Sequence, residues 1–232
     1  MAMALTGGLA RAWDLLRLTF TGRGRRVWGA LTYLLYSDSE SVGLRRDLRA
    51  PHAAPAAKMW IQVRPLSPKD ELSWLDVREQ GLSDDQVYAR LAQARLLQSG
   101  IETCHVAVET GGKACYMQWL ILSPENQRVQ AFFGNLYPRL APDEALLEGA
   151  YTPEAYRGQG IMAAAMAQIA ERAGQFGARW VITFVDESNV ASLKGCARAG
   201  FEPYVRRHER FRLFRRYVSF TPVTPASNGG ST

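Results

Sequence analysis

Residues 145–174 read ALLEGAYTPEAYRGQGIMAAAMAQIAERAG: a strand-like apolar run, a short loop with Arg157, Gly158, Gln159 and Gly160, then an alanine-rich run of helical period. The spacing predicts a strand over ALLEGAYT and a helix over about residues 160–174 that ends at Gly174. A chain that passes from strand to helix through glycines is committed to layering that helix on a sheet. It also builds a place for an anion. The first N–H groups of a helix have no partner within it, and the helix dipole adds partial positive charge there. Glycine lets a phosphate come close to the backbone. Taken alone, the loop is equally well explained as an ordinary turn.

The segments on either side supply more strands and helices. MWIQVRPL reads as a strand, and Ser67-Pro68 after it as a helix start. Ser83 to Gln86 resembles a capping box, with Val87, Leu91 and Ala94 on one helical face. CHVAVE and ACYMQWLIL, joined by Thr110 to Lys113, read as a hairpin, and VQAFF as a weaker strand. RWVITFV is strand-like, residues 189–199 are helical, and YVRRHERFRLFRRYVSF reads as a final strand pair. Residues 9–20 have helical spacing through Leu9, Trp13, Leu16 and Phe20, and a Pro/Ala-rich stretch closes the segment near residue 57. This divides the chain into a basic helical arm and linker (1–57), one α/β domain (58–220) and a tail expected to be disordered (221–232).

Charge narrows the partners. The net charge of +6 comes from two basic stretches, residues 1–58 and 205–217, each at +5, set on a remainder of −4. Such patches suit anionic partners at particular places, or simply face solvent. No apolar run reaches the roughly 20 residues of a membrane span, and Arg11, Asp14 and Arg17 break up any signal-like N-terminus. Cys104, Cys115 and Cys196 have no metal-binding spacing, so reduced thiols in a cytoplasm and no metal are expected.

The loop with its entry (YTPEAYR) and the later run from Asn189 through Ser192 to Gly200-Phe201 together resemble the GNAT superfamily of acyl-CoA-dependent N-acyltransferases. That family carries Arg/Gln-x-x-Gly-x-Gly/Ala after its fourth strand. The resemblance covers about residues 59–220 and implies a mixed, largely antiparallel twisted sheet flanked by helices. Here the arm would be an N-terminal extension. It implies that Arg157, Gly158, Gln159, Gly160, Ile161 and Met162 hold the pyrophosphate of coenzyme A. Gly149, Ala150, Tyr151 and Thr152 would follow the pantetheine arm, and Asn189 and Ser192 would contact it or cap the next helix. Met162 departs from the pattern, which has Gly or Ala there, so its side chain must turn away from the donor.

The chemistry needs a base for the attacking ammonium and often an acid for the leaving thiolate. Glu148, on the strand before the loop, is where the family's acidic residues contact the amine. Many relatives place a Tyr seven residues after the Asn; here that residue is Cys196, either an acid or a small core residue. His105, Asp186 and Glu187 are further candidates, each with a structural alternative. The implied activity is direct acyl transfer, without a covalent enzyme intermediate, from acetyl-CoA or another acyl-CoA to a small-molecule or protein amine. Transfer from an acyl carrier protein, and a non-catalytic acyl-CoA-sensing module, stay open. The arm has three readings: a brace on the domain, a contact with an anionic membrane surface, or a docking site for a carrier protein or a second copy in a homodimer. Nucleic acid is disfavoured, because no stacking platform accompanies the arginines.

Overall fold

The computed structural model describes residues 32–223. The expected helix over residues 9–20, and with it Trp13 and Phe20, lies outside the described residues, as does the tail beyond 223. In chain order the elements are β1 (Tyr36–Asp47), β2 (Gln62–Pro65), α1 (Asp84–Leu97), β3 (Cys104–Val108), β4 (Ala114–Leu122), α2 (Asn126–Phe133), β5 (Glu144–Tyr151), α3 (Ile161–Gly174), β6 (Trp180–Asp186), α4 (Val190–Arg198), β7 (Glu202–Arg212) and β8 (Arg215–Pro222). The strands form one eight-stranded sheet in the order β2-β3-β4-β5-β6-β1-β7-β8. Every neighbouring pair is antiparallel except β5–β6. This is the expected mixed, largely antiparallel sheet flanked by helices.

Each face of the sheet carries its own apolar core. On one face α3 and α4 bury Ala165, Met166, Ile169 and Cys196 against Ala145, Leu147 and Val181. On the other, Leu96 of α1 and Val129 of α2 pack with Trp119, Tyr137, Leu146 and Tyr151. The alanines of α3 are all buried, so the helix backbone rides close on the strands. The capping box at Ser83 is formed: its hydroxyl accepts from the Gln86 N–H while the Gln86 side chain accepts from the Ser83 N–H.

Four expectations need correction. Residues 36–47, expected within a helical arm, form β1, which lies inside the sheet between β6 and β7. Its Ser-rich, acidic start favours neither helix nor core, and Arg45-Arg46 reads as surface. The sheet accepts both arginines because each finds a partner. Arg45 stacks on the Trp180 ring at 3.9 Å. Arg46 donates to the Ala167 carbonyl and pairs with Glu171 at 3.0 Å. A boundary near residue 57 therefore does not part this segment from the domain. VQAFF is not a strand but the body of α2, where Val129, Phe132 and Phe133 share one helical side and Val129 is fully buried. Ser67-Pro68 opens a turn rather than a helix. Asp70 accepts from the Ser67 N–H and from the Arg64 guanidinium, and closes the turn before a helix can propagate. Thr221 and Pro222, assigned to the tail, pair with Arg206 and Val205 as the end of β8.

Candidate active site

The parallel pair at the centre of the sheet stays together only briefly. β5 and β6 are in register from Glu144–Trp180 to Leu146–Ile182. Beyond that β5 runs on to Tyr151 and β6 to Asp186 without pairing to each other, so a cleft opens between them. A bulge holds β5 in this course, since the β4–β5 register shifts between Met117 and Trp119. Gly149 sits at the bulge with φ +66°, and a Cβ there would come within 2.7 Å of Leu96 and 2.8 Å of Trp119. Only glycine fits.

At the head of the cleft the chain turns through residues 152–160 into α3. Gly160 is the N-cap, in the left-handed conformation at φ +75°, and has no side chain to satisfy the helix start. The backbone N–H groups of residues 158–162 donate to no acceptor among the described residues. Five adjoining donors at a helix N-terminus are thus left without an acceptor among the described residues. The flanking side chains are folded back: Arg157 Nε donates to the Thr152 carbonyl at 3.1 Å, and its Nη2 lies 3.3 Å from Glu154. The Gln159 carbonyl accepts from the Lys58 N–H at 2.8 Å, which brings the segment before β2 across the loop.

Met162 packs against α4. Its sulfur lies over Gly195 of α4, 3.2 Å from where a Cβ would stand. Asn189 caps α4 by accepting from the Ser192 N–H at 3.1 Å, so these two residues begin the helix beside α3. Residues 148–162 run in one continuous path from β5 through the loop into α3, and Asn189 and Ser192 begin α4, which packs on α3. Cys196 does not join them. It is fully buried, its thiol points at Met166 Sδ (3.7 Å), and burial pushes it up to about 12.

Glu148 occupies the β5 position just before the bulge. The residue keeps some surface, but its carboxyl is enclosed by other groups. Burial raises its pKa above the usual carboxylate range. The Tyr137 hydroxyl, the Gly149 N–H and the nearby charge of Arg207 pull the other way without cancelling it. Tyr137 is buried, and its phenol is held well above the ordinary value by burial and by the Glu148 charge. Arg207 of β7 lies 5.4 Å over the Tyr137 ring and 5.0 Å over Phe184, and donates to Ser41 Oγ of β1 at 3.0 Å. Sequence reasoning missed Tyr137, Arg207 and Ser41. The one available signal was parity: Arg207 alternates with the inward-facing Val205 and Phe211 of β7, so it faces the core.

The other candidates serve the framework. His105 Nδ1 lies 3.1 Å from the Thr103 carbonyl, and burial lowers its pKa. Asp186 accepts from Ser188, and Glu187 pairs with Arg206 at 2.7 Å. The basic stretch of β7 meets carboxylates of β1, with Arg212 at 2.8 Å from Asp38 and Arg206 at 3.4 Å from Glu40. Much of its charge is answered within the sheet. Among the described residues no helix is long and apolar enough to cross a membrane, and no group of three His, Cys, Asp or Glu is placed to hold a metal ion.

Residues 102–201 match the model of the acetyltransferase (GNAT) family. Among solved structures, the GCN5-related glucosamine N-acetyltransferase region of a fungal multi-domain GH3 β-N-acetylglucosaminidase superposes with a TM-score of 0.53 at 14% identity, over 87% of this chain and 23% of that one. A GNAT-family acetyltransferase from Colwellia psychrerythraea gives 0.48 at 16% identity, over 76% of this chain and 57% of its own. A GCN5-related N-acetyltransferase from Sphaerobacter thermophilus gives 0.47 at 17%, over 88% and 57%. The chain thus spans little more than half the length of those two proteins. No curated protein matches it in sequence.

Proposed function

From the premise that residues 102–201 form a GNAT-family acetyltransferase domain, we propose that the chain is an N-acyltransferase that moves an acyl group, acetyl first among them, from a coenzyme A thioester to an amine. The observation that carries this reading is the row of unpaired N–H groups at residues 158–162, at the head of a cleft between two strands that part. The thioester supplies an activated acyl group and a thiol that leaves readily.

The remaining work falls to the chain. The N–H groups of residues 158–162 receive the pyrophosphate, with Gly160 giving it room and Arg157 adding charge at the rim. The exposed edge of β5 from Gly149 to Thr152 aligns the donor, and its N–H groups polarise the carbonyl under attack. The start of α4, capped by Asn189 next to Ser192, forms the facing wall. Glu148 takes the proton from the amine; a carboxylate made more basic by burial suits that task. Tyr137 and Arg207 hold Glu148 in place and keep it ionised enough to act. Bringing donor and amine together in one cleft supplies much of the rate. Cys196 is too deeply buried to hand a proton into the cleft.

Gly160 tests the donor site. Asp and Asn both tolerate the left-handed backbone better than most residues, and the nearest atoms to a new Cβ are at 3.5 Å or more. Gly160→Asp therefore places a negative charge at the loop, and Gly160→Asn is its neutral match. Calorimetry with coenzyme A should show binding lost in the Asp variant and largely kept in the Asn variant. Equal affinity in both would remove the pyrophosphate from this loop. Binding without thiol release from acetyl-CoA over a broad amine panel would instead favour a binding module.

A further inference from the structure

A second group of polar atoms lies on the α1 side of β5, and its hydrogen-bonding capacity is unused. Arg90 of α1 is only 4% exposed. Its Nη1 is fully engaged, donating to Glu79 Oε2 at 2.6 Å and to the Asp76 carbonyl at 2.7 Å. The opposite edge of the guanidinium is not. Nε is buried without a partner, and Nη2 is 3.9 Å from Glu154 Oε2, beyond hydrogen-bond length, because Glu154 leans toward Arg157. Two more buried donors gather there. The Tyr151 hydroxyl lies against the Arg90 guanidinium, within reach of it but not in the geometry of a full hydrogen bond, and the Trp74 indole N–H has no acceptor among the described residues. The Trp74 and Tyr151 rings stack at 5.0 Å, so both groups are held in place.

Buried donors left unpaired are costly, and several held together offer partners to a ligand. Of the four unpartnered atoms here three are donors, and the fourth, Glu154 Oε1, lies 3.3 Å from Arg157 Nη2. The Nε–Nη2 edge of an arginine presents parallel N–H groups that match the paired oxygens of a carboxylate. An indole N–H can only donate. Tyr151 and Glu148 also lie on the same side of β5, the side of α1 and α2, because the bulge at Gly149 resets the alternation of the strand. We propose that Arg90, Tyr151 and Trp74 form a carboxylate-binding site for the acceptor, so that the substrate amine carries a carboxylate at its far end. This rests on the acyl-transfer reading, in which Glu148 receives the amine. The spacing along the strand, on the order of 10 Å between the two residues, points to an acceptor whose amine and carboxylate are separated by a chain.

The test uses product-like ligands and does not depend on turnover. N-acetylglycine, 4-acetamidobutyrate and 6-acetamidohexanoate are each titrated against the matching amide, by calorimetry and by the NMR signal of the Trp74 indole N–H, identified with Trp74→Phe. The expected result is that at least one longer carboxylate shifts that signal and binds roughly tenfold or more tightly than its amide. Tyr151→Phe should erase most of that preference. Arg90→Lys keeps a charge for Glu79 but lacks the forked edge, and it too should lose the preference while coenzyme A still binds. Carboxylates and amides that bind alike, or a preference that survives Tyr151→Phe, would overturn the site even if Arg90→Lys does not fold. Coenzyme A binding to the wild-type protein separates the two readings. If it binds and no carboxylate is preferred, this inference alone falls. If it does not bind, the acyl-transfer reading falls and the carboxylate result is judged on its own.

Discussion

In the proposed reaction the chemistry turns on a carboxylate enclosed beside a phenol and a guanidinium. Glu148 could be singled out from its place before the glycine loop, but the residues that tune it could not. Tyr137 comes from an irregular segment after α2, and Arg207 from a strand whose many arginines suggested a solvated patch. The sign of their effect follows from the causes. Burial raises the Glu148 pKa and the Tyr137 hydrogen bond lowers it, so kcat/KM should fall on the acid side at a pH above the ordinary carboxylate range. Tyr137→Phe removes the lowering contribution and should move that limb to still higher pH. A pH profile of thiol release checks both. Glu148→Gln should lower kcat by roughly 10²- to 10⁴-fold, the usual worth of a general base. It should not lower the melting temperature at pH 7. A carboxyl with a raised folded-state pKa favours folding while protonated and loses that contribution as pH rises through the folded value. At neutral pH the charged form is therefore a burden that Gln lifts. A kcat within a few-fold of wild type would remove Glu148 from the base role.

Between elements, the contact of α3 with α4 decides how the departures from the family pattern are accommodated. Met162 is tolerated because Gly195 leaves space for its sulfur, which clears the loop at the start of α3. Cys196, one residue on, points into the core at Met166. Cys196→Ala should cost about 1 kcal/mol of stability, as expected for a small buried truncation, with kcat within a few-fold. Thermal melts and steady-state rates check this together, and a large kcat loss at unchanged melting temperature would contradict it. These contacts were only half legible. The helical period of residues 161–174 was plain, and so was the Asn cap of the next helix. Which side chain would fill the space over Gly195 depends on the angle at which two helices meet, which no local pattern encodes. VQAFF shows the same limit, since five residues rich in apolar side chains fit either period until packing chooses.

At the scale of the molecule, the segment before residue 57 changes the most. β1 pairs along its length with both β6 and β7, and its Asp38 and Glu40 answer arginines of β7. A chain beginning at Met59 would leave two interior strands with bare edges. It should aggregate or lose its near-ultraviolet circular dichroism, whereas a native-like spectrum from a monomeric preparation would show that the sheet closes without β1. Apart from α2, the elements from β3 to α4 could be read in order because each carries a strong local signal: an alternating hairpin, a glycine loop at a helix start, an Asn cap. Those signals come from backbone requirements that neighbouring residues must meet, so they are written locally. The place of β1 is different. Its partners lie more than a hundred residues away, and its Ser, Asp and Arg become interior only because β6, β7 and α3 supply the opposite charges, acceptors and rings. The same holds for the cluster around Glu148 and for the free edge of Arg90. Local pattern sets where a strand ends and a helix begins, whereas burial and charge pairing between distant segments arise only when the whole sheet closes.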